Sequence, residues 1–330
     1  MILDFNIVYS LLSKFERAGQ EETPSTPIRL VREMLDKLPP EIWSDPSKTF
    51  LDPACSTGTF LLEIVRKLNI GLASQMPDQT ERLKHILTKQ VWGLDLSRVP
   101  LLMTNAAFEK LFINTTGIVG EVNIYHANAL DGAEEIKDMK FDVVVGNPPY
   151  QAPARSDKNK GKATGNAIWH KFVDMAISEM LKDDGYLCFV HPAGWRKPQT
   201  KSAQFNGMYG RMVSDNHMIY LSIHDTKDGI KTYKAGPRYD LYVIQKGKSG
   251  LTEINDQSGL ISTHRLDTFP WLPNEKIDEI SDMLATEPEL NILWGCSHHS
   301  STARKKGVLS KEETPIFKYP VVHSTPAKGT

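Results

Sequence analysis

The residues with the clearest chemical character form the segment Asn147-Pro148-Pro149-Tyr150, which follows the apolar run FDVVVG at residues 141–146. Proline has no backbone N–H, so a buried strand is predicted to end here. The side-chain carbonyl of Asn147 and the backbone carbonyl of Pro148 are two acceptors on a rigid frame. Such a pair can bind both N–H groups of an amine on a heteroaromatic ring and expose its lone pair to an electrophile. The ring of Tyr150 offers a flat face on which a base can stack.

Polar or small residues also follow the other predicted strands. The strand TFL continues into DPACSTG, whose small residues let the backbone approach a ligand where a helix starts near Thr59. This spacing differs from GxGxxG, so a dinucleotide is not indicated. Asp95 ends the strand QVWGLDLS, where a carboxylate can accept both hydroxyls of a ribose. Asn128 ends the strand EVNIYHANAL and can pair with a purine edge, although an ordinary turn explains either residue taken singly.

The elements that position these residues alternate between strand and helix. Apolar residues at helical spacing predict a helix over 26–38, with Thr26 as its N-cap and Pro27 at its first position. Further helices are predicted over 100–111 and 167–181, and further strands in YLCFVHP, IYLSIHD and RYDLYVIQ. This alternation predicts an α/β fold with an open, mostly parallel sheet and helices on both faces.

A polar, glycine-containing segment at residues 247–259 is predicted to be a linker. We therefore predict a first domain over residues 1–246 and a second region over 247–330. The second region has weak patterns and stops at STPAKGT, so we expect it to be incomplete.

The composition narrows the class of protein. The chain has 330 residues, is 40% hydrophobic and carries a formal net charge of −1, which neither indicates nor excludes a nucleic-acid partner. Its three cysteines form no CxxC pair, and His298 and His299 have no partners at metal-ligand spacing, so we predict no disulfide framework and no metal site. We predict no signal peptide and no membrane-spanning stretch. We expect a soluble protein of the cytoplasm.

In combination, the motifs resemble the amino-methylating DNA methyltransferases that use S-adenosylmethionine. NPPY is similar to the signature of the N6-adenine branch, DPACSTG to its cofactor loop, and TPIRLVREML to the helix that precedes this loop. The order of the motifs resembles the gamma class, and in particular the Eco57I-type restriction-modification methylases. The resemblance covers about residues 20–246.

This resemblance implies a Rossmann-like methyltransferase sheet, followed by a C-terminal region that recognises the DNA target. It implies that S-adenosylmethionine donates a methyl group to the N6 amine of adenine in double-stranded DNA, leaving S-adenosylhomocysteine. The adenine is flipped out of the duplex and contacts the catalytic residues Asn147, Pro148, Pro149 and Tyr150. The resemblance also implies that the protein works in a prokaryotic or phage-infected cell. Its implied partners are a restriction endonuclease or other subunits of such a system.

The resemblance also implies a set of cofactor-binding residues. Asp95 takes the ribose hydroxyls, Leu96 packs on the adenine ring, and Asn128 meets the adenine amine. The family more often has glycine in place of Ser56 and aspartate in place of Asn128, so a stiffer loop and weaker binding are expected. The full set is Thr26, Asp52, Pro53, Ala54, Cys55, Ser56, Thr57, Gly58, Asp95, Leu96, Asn128, Ala129 and Asn147.

DNA contacts are predicted from two basic regions. The glycine-containing loop directly after Tyr150 carries four cations that could close over the phosphates, although a solvated surface loop has the same composition. Residues 191–250 carry ten Lys and Arg against four Asp and Glu, and HPAGWRKPQ adds an aromatic residue that could equally be buried. The predicted DNA-binding residues are Arg155, Lys158, Lys160, Lys162, Trp195, Arg196 and Lys197.

Two other functions share these motifs. The same four residues could act on RNA adenine or on the side-chain amide of a protein glutamine, because each substrate presents an NH2 on a conjugated carbon. The chain could also be a DNA-binding subunit that keeps a methyltransferase shell without catalysis.

Overall fold

The computed structural model describes Phe5, Tyr9 and residues 26–117, 122–152, 166–233 and 238–284. Within this part of the chain the strands are β1 (Phe50–Asp52), β2 (Val91–Asp95), β3 (Asn123–His126), β4 (Phe141–Gly146), β5 (Leu181–Pro192), β6 (His217–His224), β7 (Tyr239–Gln245), β8 (Thr252–Asn255) and β9 (Ile261–His264). The helices are α1 (Ile28–Asp36), α2 (Thr59–Gly71), α3 (Gln79–His85), α4 (Arg98–Thr116), α5 (Trp169–Met175), α6 (Met208–Val213), α7 (Thr226–Tyr233) and α8 (Ile277–Met283).

All of these strands lie in one sheet, in the order β3-β2-β1-β4-β5-β7-β6-β8-β9. Neighbouring strands from β3 to β5 are parallel, whereas β7 runs antiparallel to both β5 and β6. β8 is parallel to β6, and β9 returns antiparallel beside it. The predicted fold class, an open and mostly parallel α/β sheet, is confirmed.

Both faces of the sheet are covered, as expected for parallel strands with nearly continuous apolar sequences. In β4, Val143 and Val145 join the core cluster that contains the buried residues of α1 and α2. The alternating residue Val144 is equally buried but lies outside that cluster, because successive strand side chains point to opposite faces. The apolar run before the NPPY segment therefore belongs to the centre of the sheet.

The sheet continues past residue 246, where we predicted the first domain to end. Residues 252–255, which we predicted to lie in a linker, form β8 and pair with β6. The linker prediction is wrong for these residues, and the described residues up to Asp282 form one compact unit. A separate recognition role for residues 247–330 stays a prediction, and residues 285–330 lie outside the described part.

No helix in the described ranges is both long enough and apolar enough to cross a membrane.

Candidate active site

The strand-end residues singled out in the sequence meet at one edge of the sheet. Asp52 ends β1, Asp95 ends β2, Asn128 follows β3 and Asn147 follows β4. Because these four strands are parallel neighbours, their carboxyl ends open on the same side. This edge is where open α/β sheets bind ligands, so we call it the candidate active site.

The loop between β1 and α2 is held in a tight turn. The Cys55 N–H donates to the carbonyl of Leu94 (2.8 Å), and the Gly58 N–H donates to the carbonyl of Cys55 (2.8 Å). Gly58 has φ +79°, and a Cβ there would lie 2.5 Å from Cγ2 of Thr104, so only glycine fits. The loop backbone therefore passes close to the start of α2, as a ligand-binding turn requires.

Ser56, where the family more often has glycine, also adopts a left-handed conformation, with φ 47°. Its carbonyl accepts a hydrogen bond from the Thr104 hydroxyl (2.8 Å), which fixes the loop against α4. The remaining loop residues Pro53, Cys55 and Thr57 are buried. The serine is accommodated in a conformation that glycine adopts at lower cost.

Asp95 links the first loop to the second strand. One carboxylate oxygen accepts the Ser56 N–H (2.7 Å) and the other accepts the Ser97 N–H (2.6 Å). Burial raises the pKa of Asp95, and these backbone N–H groups oppose that rise. Leu96, the next residue, exposes 58% of its surface at this edge. Asp95 and Leu96 both lie at this edge. Their contacts with the ribose and the adenine ring of the cofactor stay predictions.

Asp52 is almost fully buried, with 1% of its surface exposed. Its Oδ1 accepts the Ala54 N–H (3.0 Å), but its Oδ2 has no hydrogen-bond partner. Burial, together with the nearby Asp95 carboxylate, raises the pKa of Asp52 to about 8. A Cβ on Gly146 would come within 2.7 Å of Oδ1, so glycine at the end of β4 makes room for this carboxyl. A buried acceptor without a partner is suited to a polar ligand.

The side chain of Asn128 caps a 3₁₀ turn that includes Ala129, which is buried. Its oxygen accepts the Leu130 N–H (3.2 Å), and its nitrogen donates to the Asp131 carboxylate (2.7 Å). The amide is therefore already held locally, and its contact with a cofactor stays a prediction.

The amide of Asn147 has a fixed orientation. Its Nδ2 donates to the hydroxyl of Thr26 (3.0 Å), and its Oδ1 is buried without a hydrogen-bond partner. Thr26 was predicted to cap α1, but Pro27 is the N-cap residue and makes no side-chain capping bond. The Thr26 hydroxyl instead accepts from the Asn147 amide and holds it in place.

Tyr150 turns its hydroxyl into the protein. The hydroxyl lies next to the side chains of Tyr233 and Asn147, and burial raises the pKa of both tyrosines. Tyr233 packs edge-on against Tyr239, with ring centroids 5.2 Å apart. The sequence analysis missed Tyr233, because the short helix α7 shows no extended apolar period.

The backbone after Tyr150 is also fixed. The Ile168 N–H donates to the Tyr150 carbonyl (3.0 Å), and the Ala152 N–H donates to the Asn166 carbonyl (3.0 Å). Gln151 and Ala167 form an antiparallel bridge between these two bonds. Residues 150–152 and 166–168 therefore form a paired stem directly after the NPPY segment.

The structure describes three of the seven predicted DNA-binding residues, and two of these three are buried. Trp195 is fully buried, and Arg196 is 6% exposed and forms an ion pair with Asp240 (3.0 Å). Arg196 also donates to the Pro273 carbonyl (2.9 Å), so it joins the segment after β5 to the segment after β9. Neither side chain is open to DNA, and we correct these two predictions. Lys197 is exposed, and its contact with DNA stays a prediction. The other four predicted residues lie outside the described residues: Arg155, Lys158, Lys160 and Lys162.

Known structures share this fold. The chain aligns with the DrdV–DNA complex with a TM-score of 0.56 and 18% identity, covering 76% of this chain and 30% of that one. It aligns with a protein of a type I restriction-modification complex with a TM-score of 0.52 and 17% identity, covering 76% and 47%. At these identities the comparison establishes the fold alone.

Relatives by sequence carry methylase names. An "uncharacterized adenine-specific methylase" of Mycoplasma pneumoniae (strain ATCC 29342 / M129 / Subtype 1) is 26% identical, over 56% of this chain and 58% of the relative. The type II restriction enzyme and methyltransferase RM.Eco57I of Escherichia coli is 25% identical, over 61% of this chain and 22% of the relative. The chain thus spans between about a fifth and three fifths of the length of these proteins.

Residues 78–228 match the Eco57I restriction-modification methylase model. This range contains Asp95, Asn128 and the NPPY segment, and the resemblance that the motifs indicated is confirmed. Over residues 78–228 the chain is therefore similar to the Eco57I restriction-modification methylase family.

Proposed function

We propose that the protein transfers a methyl group from S-adenosylmethionine to the N6 amine of adenine in DNA. The observation that carries this proposal is the Asn147 amide, whose nitrogen is bonded to Thr26 while its buried oxygen has no partner. A fixed and unsatisfied acceptor at a ligand-binding edge is suited to an N–H donor. An exocyclic amine on a planar base supplies such a donor.

Asn147 and Pro148 position the amine. The Asn147 oxygen accepts one N–H, and the backbone carbonyl of Pro148 accepts the other, so the nitrogen lone pair is drawn out of conjugation with the ring. The lone pair would form the bond to the methyl carbon as the carbon–sulfur bond breaks and its electrons stay on sulfur, and the extra proton on nitrogen would leave to solvent. Because the Thr26 bond fixes the amide before the substrate arrives, little reorganisation is needed.

The residues at the ends of β1 and β2 fit S-adenosylmethionine. Its sulfonium supplies an electrophilic methyl group, and S-adenosylhomocysteine remains after transfer. Once Asp52 releases its proton, its unpartnered Oδ2 can accept from the amino group of the methionine part, and the turn ending at Gly58 lets the backbone approach the cofactor. Asp95 keeps acceptor capacity on both oxygens for ribose hydroxyls, and the exposed Leu96 offers an apolar surface to the adenine ring.

Tyr150 holds the target base by stacking. Its hydroxyl is buried beside Tyr233, which restricts rotation of the ring, whereas the residue as a whole is only partly buried. A base must leave the duplex to reach this position, because the Asn147 oxygen is buried at the end of a buried strand. We propose that the target adenine is flipped and stacks on Tyr150.

The names of the relatives indicate a setting for this activity. RM.Eco57I joins a restriction enzyme and a methyltransferase in one protein. We propose that this protein acts on double-stranded DNA in the cytoplasm of a prokaryotic or phage-infected cell, within a restriction-modification system. In such a system a nuclease or further subunits supply DNA cleavage. Residues 247–330 supply recognition of the target sequence.

A methyl-transfer assay tests the proposal. The full chain is incubated with methyl-labelled S-adenosylmethionine and duplex DNA, RNA or a protein extract, and the labelled product is digested and identified. We expect label on the N6 position of DNA adenine. Label on RNA or glutamine alone, or cofactor binding without any transfer, would overturn the proposal in favour of the other two functions.

The variant Asn147→Ala separates the role of the amide from folding. Removing one preorganised hydrogen-bonding group at a reacting centre costs about 10²–10³ in turnover, and the fall should be at least this large. Binding of the cofactor, measured by calorimetry, should remain nearly unchanged. The matched control is Asn206→Ala, at an exposed asparagine in the loop before α6. Near-normal turnover of Asn147→Ala contradicts the proposed mechanism.

A further inference from the structure

The helix α7 forms one wall of the candidate active site. It follows β6, which is parallel to β4, so it begins at the same carboxyl edge as the NPPY segment. Its last residue, Tyr233, is buried and lies beside the Tyr150 hydroxyl. The helix is thus positioned directly next to the residue on which the target base is proposed to stack.

Side chains of the sheet anchor α7. The Asp228 carboxylate accepts hydrogen bonds from the Tyr239 hydroxyl and from Nδ1 of His224 (3.0 Å). The rings of His224 and Tyr239 stack with their centroids 4.3 Å apart. Gly229 and Tyr233 form the buried side of the helix. Since this side is fixed, the residues on the opposite side have a defined direction.

That opposite side carries two cations. Lys227 and Lys231 are both exposed and are four residues apart, so they lie on one face of the helix. Ile230 lies between them with 55% of its surface exposed. Within the described ranges neither lysine forms an ion pair or a hydrogen bond with another side chain.

Three lysines at the other edge of the sheet differ in this respect. Lys182 pairs with Asp142 (2.6 Å), and Lys248 pairs with Asp184 (2.9 Å). Lys246 lies 3.5 Å from the Asp183 carboxylate. Among the described residues, these three lysines each lie close to a carboxylate, whereas Lys227 and Lys231 do not.

We infer that Lys227 and Lys231 bind backbone phosphates of the DNA beside the flipped nucleotide. This inference rests on the proposed function. An α-helix with its side chains is about 10–12 Å across, so the outer face of α7 lies within about one helix diameter of Tyr150. Duplex DNA carries about one phosphate per 1.7 Å of its axis, so any duplex that delivers a base to Tyr150 brings several phosphates within that distance. Such contacts orient the duplex without reading its sequence.

The salt dependence of DNA binding tests the inference. The dissociation constant of the full chain for duplex DNA is measured between 50 mM and 300 mM NaCl for wild type and for K227Q/K231Q. Each phosphate contact contributes about 0.9 to the slope of log K against log salt, so two lost contacts reduce the slope by about 1.8. If the curves converge near 1 M salt, affinity at 150 mM falls about 30-fold.

Two further variants serve as controls. K246Q/K248Q removes the same charge from the other edge and should leave the slope unchanged, whereas K227R/K231R should keep the wild-type slope. A K227Q/K231Q slope equal to that of K246Q/K248Q overturns the inference while leaving the methylation proposal intact. If the wild type neither binds nor methylates duplex DNA, both the inference and the proposed function fail.

Discussion

The substitution Asp52→Asn should change how the stability of the protein depends on pH. Asp52 is buried, one of its oxygens has no partner, and its pKa is raised to about 8 from an ordinary value of 3.8. Burial is the main cause, because the charged form loses its hydration. The folded protein without cofactor therefore holds a proton on Asp52 at neutral pH. Asparagine has nearly the same shape and carries no ionisable proton.

The sign and size of the effect follow from proton linkage. Between pH 4 and pH 8 the folded state keeps the Asp52 proton and the unfolded state has released it. The free energy of unfolding of the wild type therefore falls, through this group, by about 1.4 kcal/mol for each unit of rising pH. The variant lacks this contribution. The difference in free energy of unfolding, variant minus wild type, should rise by about 2–3 kcal/mol from pH 5 to pH 7.

Urea unfolding of both proteins at pH 5, 6 and 7, without cofactor, measures this difference. The contributions of other titrating groups largely cancel between the two proteins. The control is Asp183→Asn, whose side chain is 99% exposed, and for which the difference should be flat across the range. A flat difference for Asp52→Asn as well would refute the conclusion that burial keeps this carboxyl protonated.

Two further predictions concern the positioning of Asn147 and the cofactor loop. Thr26→Val removes the hydroxyl that accepts from Asn147 and should lower the single-turnover methylation rate about tenfold, the effect of about 1.4 kcal/mol, whereas Thr26→Ser should retain most of the rate; equal losses in both variants would contradict this role. Ser56→Gly relieves a left-handed conformation (φ 47°) and should raise the free energy of unfolding by about 0.5–1 kcal/mol in urea titrations, whereas a decrease would show that the serine side chain is needed.

Local sequence patterns were sufficient to predict the strands that carry the site. FDVVVG is a continuous apolar run closed by prolines, and it forms β4 with the NPPY segment at its end. The acidic ends of β1 and β2 were found in the same way. Contacts between distant residues were not predictable: the Thr26 hydroxyl meets an amide 121 positions away, where a capping role had been predicted locally.

The wrong predictions have identifiable physical causes. Arg196 was counted as a cation available to DNA, but a carboxylate on β7, Asp240, pairs with it in the interior. Local charge excess does not reveal such pairing. The sequence of β8 looks polar because Glu253 is exposed and one of its two buried residues is Thr252, so Ile254 is its only apolar position. α7 was missed since its inner side is built from glycine and tyrosine rather than an aliphatic stripe.

The paired stem formed by residues 150–152 and 166–168 has a consequence for how such a protein can diverge. The stem ends are bonded to each other, so the sequence joining them can be lengthened, shortened or exchanged without moving Tyr150. The entropy cost of a longer loop rises only slowly, by about 0.6 kcal/mol for each doubling of its length. The stem therefore allows new sequences to be grafted between its two ends while Tyr150 and the chemistry are retained.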